Sequence, residues 1–268
     1  MLFSVAHPLG AVSADYASDK ASLERMYDCP VFVAGTSEEE YARSVLALSP
    51  LLDPEHIHRV RCERKEPGWY GALACNQLIC REAVKHFDAH PAEGREIYMS
   101  LEAQARPALR FSLSRLREVV EAFRRGDEDI VHVSVVPLPF LGAPRTHVRS
   151  HIYRQHWSAV QFSTALLCSR AFAEKIQRRR LEDINKPFDV LLAAEGHSKF
   201  VMYPAAFMRG PGQSRASSCL QLDIVRPIMG NVHVFVLGEF LCHYCVTFGV
   251  FLLATVVGAV AWRLARRL

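Results

Sequence analysis

The chain has twelve histidines among its 268 residues, and histidine can bind metals or transfer protons near neutral pH. His56 and His58 lie two residues apart in a loose apolar–polar alternation, so on a strand both would face the same side. This spacing leaves two interpretations open, a pair of metal ligands or an ordinary half-buried strand. His147, His151 and His156 lie in or beside a loop rich in Pro, Gly and His, and their spacing indicates no role.

The eight cysteines show no zinc-ribbon spacing. Cys242 and Cys245 form a CxxC motif with His243 between them, at the start of an apolar tail. A metal or redox role, acylation at a membrane edge and inert packing all remain open for this pair. The number of cysteines does not decide the redox compartment. The sequence also contains no Ser-His-Asp ordering, no Walker loop and no HExxH helix.

The apolar tail has the composition of a membrane-spanning helix. Tyr244 to Trp262 is a run of 19 residues without a charge. At about 1.5 Å per residue it spans a hydrocarbon core of roughly 30 Å, with amphipathic rings at both ends. A buried core helix is the alternative, although it would rarely run this long without a polar face. We predict a transmembrane helix over residues 240–262, with membrane lipid as a partner, and small residues Ala254 and Gly258 would allow a homodimer.

The predicted anchor implies a single-pass protein of an endomembrane (ER–Golgi) or host membrane. Arg263, Arg266 and Arg267 follow the span, and the positive-inside rule would place them in the cytosol and the body in the lumen or outside. Residues 1–14 lack a basic n-region, however, and an anchor inserted after synthesis would leave the body in the cytosol. Without these three arginines the chain has 29 basic and 28 acidic residues, so its charge gives no case for binding nucleic acid.

The remaining sequence alternates short apolar runs with helical patterns. It predicts strands at residues 30–34, 56–62, 96–101, 129–135, 162–168 and 199–203, and helices at 37–47, 72–87, 112–125, 169–180 and 189–194. Ser37 and Glu40 form a capping box, and residues 136–155 predict a long loop that holds a hairpin. The alternation predicts an α/β domain, a mainly parallel sheet with helices on both faces.

These boundaries divide the chain into five segments. They are an N-terminal extension (1–27), the α/β domain (28–225), a juxtamembrane linker (226–239), the transmembrane helix (240–262) and a basic tail (263–268).

Four segments of the domain carry a family resemblance. They read PGWYGALACN at 67–76, IYMSLEAQ at 97–104, FSTALLCSRAFAEK at 162–175 and PFDVLL at 187–192. In order and spacing they resemble glycosyltransferase family 25, the lipooligosaccharide and collagen hexosyltransferases of the GT-A type. The corresponding family segments are PGExGCxxSH, an apolar strand ending in Glu-Asp-Asp, GTxAYLISRxGAEKL and PxDxxL. The resemblance covers roughly residues 28–220.

The resemblance implies a GT-A-like (Rossmann-like) fold that transfers a hexose from a nucleotide sugar, such as UDP-hexose, to a hydroxyl on a protein or glycan acceptor. It implies that Asp189 is the general base, although Asp189 could instead cap the following helix. It also implies, with the cations next to the matched segments, a nucleotide-sugar site formed by Gly68, Gly71, Asn76, Glu102, Gln104, Arg106, Arg209 and Ser217.

The metal motif departs from the family pattern. GT-A enzymes hold Mn²⁺ or Mg²⁺ with carboxylates at a strand end, but here Glu102 precedes Ala103, which has no ligand atom, and Gln104, which has a neutral amide. We therefore expect metal affinity lower by orders of magnitude. Two outcomes follow: the diphosphate is stabilised by cations such as Arg106, Arg209 and Arg215, or the domain is an inactive, membrane-tethered binding module. These arginines and Glu102 could also be solvated surface groups, and the body could serve interaction only.

Overall fold

A computed structural model describes residues 29–49, 52, 56–108, 111–134, 145–155, 163–209, 244, 252–259 and 262–263. The strands are β1 (Val31–Gly35), β2 (Ile57–Arg61), β3 (Ile97–Glu102), β4 (Ala105–Pro107), β5 (Ile130–His132), β6 (Arg145–Arg149), β7 (Ile152–Gln155), β8 (Ala165–Ser169), β9 (Phe200–Met202) and β10 (Phe207–Arg209). The helices are α1 (Glu38–Leu48), α2 (Gly68–Ala89), α3 (Leu113–Arg124), α4 (Arg170–Gln177) and α5 (Phe188–Ala194), with a 3₁₀ turn at Leu181–Asp183.

Eight strands form one mixed sheet in the order β2-β1-β3-β8-β5-β9-β7-β6, and β4 pairs with β10 in a small second sheet. β1 is parallel to β2 and β3, and β5 is parallel to β9. β8 is antiparallel to both of its neighbours, and β7 is antiparallel to β6 and β9. The prediction of a mainly parallel sheet is therefore wrong. The chain leaves β5 and enters β8 at the same edge of the sheet, which forces β8 to run antiparallel.

Helices cover both faces of the sheet, as the sequence predicts. On one face, Leu48 of α1 and Phe123 of α3 pack with Met99 of β3 in one hydrophobic cluster. On the other, residues of α2, α4 and α5 pack with Phe32 of β1 and Tyr98 of β3. Successive residues of β3 alternate between these clusters because strand side chains alternate between faces. The α1 face and the α2 face of the sheet are defined by these two clusters.

The Ser37 half of the predicted capping box at the start of α1 is confirmed, whereas the Glu40 carboxylate binds Thr36 in place of the Ser37 backbone N–H. The Glu40 backbone N–H donates to Ser37 Oγ at 3.2 Å. The Glu40 carboxylate in turn accepts hydrogen bonds from the Thr36 backbone N–H at 2.9 Å and from the Thr36 hydroxyl at 2.7 Å. The Ser37 hydroxyl thus satisfies one backbone donor of the first turn, and the Glu40 carboxylate holds the residue before the N-cap against the helix.

In the described part of the chain, no helix is both long enough and apolar enough to cross a membrane. Of the predicted span 240–262, the structure describes only residues 244, 252–259 and 262. The N-terminal extension (1–27) and the linker (226–239) lie outside the described residues. The transmembrane helix, the membrane localisation and the homodimer therefore stay predictions.

Arg95 connects the end of α3 to the segment before β5 through hydrogen bonds to backbone carbonyls. Its Nη1 donates to the carbonyl oxygens of Phe123 at 2.8 Å and Gly126 at 2.5 Å, and its Nη2 donates to the Glu128 carbonyl. We expect Arg95→Ala to lower the free energy of unfolding by about 2–3 kcal/mol, because its charge-assisted hydrogen bonds to the carbonyls of Phe123, Gly126 and Glu128 are lost. Thermal unfolding measures this effect.

Arg178→Ala is the matched control for Arg95→Ala. The Arg178 side chain is 75% exposed and pairs with Glu174 at 3.5 Å. Such surface pairs contribute little to stability. Equal melting temperatures for the two variants would contradict the role of Arg95.

Candidate functional site

The carboxyl ends of the parallel strands meet at one edge of the sheet. β1 ends there at Gly35, β2 at Arg61 and β3 at Glu102, and β8 begins at the same edge because it runs in the opposite direction. In open α/β sheets, ligands bind in the crevice outside this edge. We call this edge of the sheet, where β1, β2 and β3 end, the carboxyl edge.

Glu102 lies at the carboxyl edge and contacts the two hydroxyl residues that directly precede β8. Its backbone N–H donates to the Thr164 carbonyl at 3.0 Å, and the Ser163 hydroxyl donates to Glu102 Oε1 at 3.3 Å. Thr164 is 1% exposed, and its hydroxyl has no hydrogen-bond partner within the described residues. Two hydroxyl residues directly before an apolar strand are the signal that could have singled out Ser163 and Thr164, which sequence reasoning missed.

A glycine contact and a disulfide hold the start of α2 against the loop that follows β2. Gly68 is the first residue of α2. A Cβ added at Gly71 would lie 3.1 Å from the Lys65 backbone nitrogen, so glycine permits this close approach. Cys62 and Cys75 form a disulfide with their Cα atoms 5.3 Å apart. Sequence reasoning did not predict this bond, and it gives Cys75 a covalent role.

Asn76, Ser100 and Phe188 lie in one closely packed region between α2, β3 and α5 that has no room for a water molecule. Asn76 is 9% exposed, and its Nδ2 donates to the Ala72 carbonyl at 2.9 Å, so its amide group lies within the packed interior. Glu102 lies two residues beyond Ser100 and therefore on the same face of β3. Asp189 directly follows Phe188. This packing thus brings the predicted residues of α2, β3 and α5 to one region of the α2 face.

Asp189 lies in the first turn of α5, whose N-cap position is occupied by Pro187. The alternative that Asp189 caps this helix is therefore wrong. Asp189 is partly exposed, and its Oδ1 accepts a hydrogen bond from the Val190 backbone N–H at 2.9 Å. This contact fixes the orientation of a carboxylate that solvent can reach.

Arg106 lies on the other side of the carboxyl edge. Its Nη1 donates to the carbonyls of Ala103 at 3.1 Å and Ala105 at 2.7 Å, and the Ser44 hydroxyl of α1 donates to the same Ala103 carbonyl. Burial lowers the pKa of Arg106, and the neighbouring Arg43 guanidinium lowers it further. Arg106 thus belongs to the α1 face, whereas Glu102 belongs to the α2 face.

The structure describes only some of the remaining predicted site residues. Gln104 lies in the turn between β3 and β4 and is partly exposed. The backbone of Arg209 pairs with that of Ala105 in the small sheet, so β10 brings it to the same turn. Ser217 and Arg215 lie outside the described residues.

The donor set at this edge does not fit a divalent metal. Within the described residues, no three His, Cys, Asp or Glu side chains form a group that could hold a metal ion. At the end of β3 the chain offers one carboxylate, Glu102, followed by an alanine and an amide. Because Mg²⁺ and Mn²⁺ sites depend on charged oxygen ligands, we derive no step through a metal.

The loop histidines are engaged in local contacts. His147 Nε2 lies 2.6 Å from the Ser150 carbonyl oxygen, and His151 Nε2 lies 3.5 Å from a Glu118 carboxylate oxygen. His156 lies outside the described residues.

No protein-family model matches the chain, and a search of curated proteins finds no match. Among solved structures, the chain is similar to the crystal structure of mannose-1-phosphate geranyltransferase from Thermus thermophilus, with a TM-score of 0.35 and 12% sequence identity. The similarity covers 63% of this chain and 64% of that chain, so it spans less than two thirds of that protein. It indicates a distant likeness of α/β architecture and assigns no family.

Proposed function

We propose that the domain binds a nucleotide sugar at the carboxyl edge and transfers its hexose to a hydroxyl of a protein or glycan. The observation that supports the proposal is the close packing of Asn76, Ser100 and Phe188 in one region of the α2 face. This packing places the start of α5, with Asp189, over the strand that ends in Glu102. The order of segments that resembles glycosyltransferase family 25 supplies the substrate class, UDP-hexose and a hydroxyl acceptor.

In this proposal Asp189 accepts the proton of the acceptor hydroxyl. The hydroxyl oxygen then forms a bond to the anomeric carbon, and the bond between that carbon and the diphosphate oxygen breaks. The nucleoside diphosphate leaves with the bonding electrons. Because the end of β3 lacks a carboxylate set for a metal, cations must stabilise the leaving diphosphate, and Arg209 is the candidate beside the 103–106 turn.

A catalytically inactive binding module is the second candidate. Two observations favour it. Ala103 gives the site no ligand atom where the family has a carboxylate, and the Asn76 amide group is buried and bonded within its own helix. Such a module would keep the fold and the nucleotide site but would transfer no sugar.

Melting temperatures of the full chain with UDP or UDP-hexose, with and without Mn²⁺, test the proposal. A ligand at about 100 times its dissociation constant stabilises the folded state by roughly 2.7 kcal/mol, which raises the melting temperature by several degrees. We expect this shift to be independent of Mn²⁺. A shift that requires Mn²⁺ would contradict the cation-assisted site, and no shift with any nucleotide would contradict both candidates.

Glu102→Gln distinguishes a diphosphate held by cations alone from one held through a metal ion. If cations alone hold the diphosphate, removing the Glu102 charge should leave UDP affinity unchanged or raise it by up to about tenfold, since like-charge repulsion is relieved. The exposed Glu182, in the 3₁₀ turn, gives the matched control Glu182→Gln. A loss of affinity confined to Glu102→Gln would instead identify a metal ligand.

A further inference from the structure

Three histidines form a continuous row between the edge strand β2 and the C-terminal half of α2. The ring centroids of His58 and His86 lie 4.7 Å apart, and those of His86 and His90 lie 4.9 Å apart. Phe32 of β1 stacks against His58 at 5.1 Å and presents its edge to His86 at 6.1 Å. The row joins an edge strand to the helix that begins at the carboxyl edge, and it is separate from the site of the proposed function.

Few compensating charges surround this row. It borders an open depression of about 350 Å³ lined by Phe32, His58, Arg59, Glu82, Lys85 and His86. Glu82 is the single carboxylate of that lining, and it pairs with Lys85 at 2.7 Å. His56, directly before β2, lowers the pKa of His58, and the Arg59 guanidinium pairs with Glu38 of α1 on the opposite face. β1 contributes only the neutral Phe32.

We propose that His58, His86 and His90 form a proton sensor that holds β2 against α2 when the imidazoles are neutral and separates these elements when the row is protonated. Neutral rings pack against one another and against Phe32. Two imidazolium ions within about 5 Å repel each other. Because β2 is an edge strand, its first residues can separate from the end of α2 without breaking the centre of the sheet, while the Cys62–Cys75 disulfide keeps its other end attached to the start of α2.

The direction of the effect follows from the pKa values of two of these histidines. Burial lowers the pKa of His58 and of His86, and the neighbouring histidines lower both further. In the unfolded chain a histidine has a pKa of about 6.5, so below this pH the unfolded state binds more protons than the folded state. The contribution to stability is therefore complete above about pH 6.5 and is lost as the pH falls below it.

The test is the melting temperature of the full chain between pH 7.5 and 5.5, for the wild type, His58→Gln/His86→Gln and the control His151→Gln. The pH slope of stability gives the number of protons taken up on unfolding. We expect about one to two more protons for the wild type and His151→Gln than for the double variant. Hydrogen exchange in β2 and the second half of α2, corrected for intrinsic rates, should rise in the wild type at pH 5.5.

His90→Gln provides a second test if the double variant does not fold. His90 is exposed, so its substitution should leave the fold intact, and it should reduce the pH slope in part because His90 helps to lower the pKa of His58 and of His86. Equal slopes for the wild type and the histidine variants would overturn the proposal. A rise in melting temperature with Zn²⁺ that His58→Gln/His86→Gln abolishes would also overturn it, because the row would then be a metal site.

Discussion

Asp189→Asn is expected to lower the rate of hexose transfer by about 10²- to 10⁴-fold while nucleotide binding stays unchanged. Asparagine keeps the size of the side chain and an oxygen that can accept from the Val190 backbone N–H, as Asp189 Oδ1 does at 2.9 Å. It cannot accept the proton of an acceptor hydroxyl. The measurement is kcat with UDP-hexose and acceptor, together with the dissociation constant for UDP from the melting shift.

Asp183→Asn is the matched control for this substitution. Asp183 is an exposed aspartate of the 3₁₀ turn before α5, so it reports any general effect of losing an acidic charge from this region. We expect wild-type turnover from it. Unchanged turnover in Asp189→Asn would remove Asp189 from the mechanism. A wild-type chain that binds UDP but transfers no hexose to any acceptor would instead favour the binding module.

Much of the architecture could be predicted from local sequence because local interactions determine it. The strand over Val31–Gly35 is a run of apolar residues buried between two layers of helices, and this composition is typical of an interior strand. The start of α1 is determined by side chains within four residues of one another, Thr36, Ser37 and Glu40. Neither feature depends on distant parts of the chain.

The direction of β8 could not be predicted in the same way. Its residues ALLCS are buried on both faces and would suit a parallel or an antiparallel strand equally. The direction depends on where the chain re-enters the sheet after β5, which is a property of the topology. A pattern of buried strands therefore predicted the α/β class and left the mixed sheet undetermined.

The strongest part of the family resemblance has a structural explanation. Ser169 caps α4, and Arg170 pairs with the carboxylates of Asp88, Glu96 and Glu174. Ser169 pairs with Ile97, the first residue of β3, so this motif lies at the end of the sheet opposite to Glu102. The SRxxAEK match thus reflects how α4 is attached to the sheet, and it carries no information on catalysis.

The candidate site could be predicted only as a set of strand ends. The sequence placed Glu102 directly after a predicted strand, and β3 ends at that residue. It did not indicate that the Ala103 carbonyl would bind Arg106 on the α1 face while Glu102 lies on the α2 face. Side-chain direction at a strand end depends on the packing of both layers, and local sequence does not specify this packing.

The disulfide could not be predicted from the sequence either, because cysteine spacing alone does not determine pairing among eight cysteines. Cys62 directly follows β2, and Cys75 lies in the second turn of α2. The bond closes the loop that also packs against Gly71 through the Lys65 backbone. Disulfides persist in oxidising compartments and are rare in the cytosol, so the redox state of this pair would report the compartment of the body, which stays a prediction.

Cys75→Ser is expected to lower the free energy of unfolding by about 3 kcal/mol, because the closed loop, with a sequence separation of 13, no longer restricts the unfolded chain. For a domain of this size the loss corresponds to a fall in melting temperature of roughly 6–12 °C. A thiol reductant should produce the same fall in the wild type. UDP affinity should fall as well if the Gly68–Gly71 turn forms part of the nucleotide site.

The double variant Cys62→Ser/Cys75→Ser separates the bond from the loss of single side chains. It should unfold at nearly the same temperature as Cys75→Ser, because both lack the same bond, and reductant should leave it unchanged. Mass spectrometry of the unreduced wild type should recover the peptides of Cys62 and Cys75 as one cross-linked species. Separate peptides, together with a wild-type melting temperature that is insensitive to reductant, would show that the loop is held by packing against Gly71 alone.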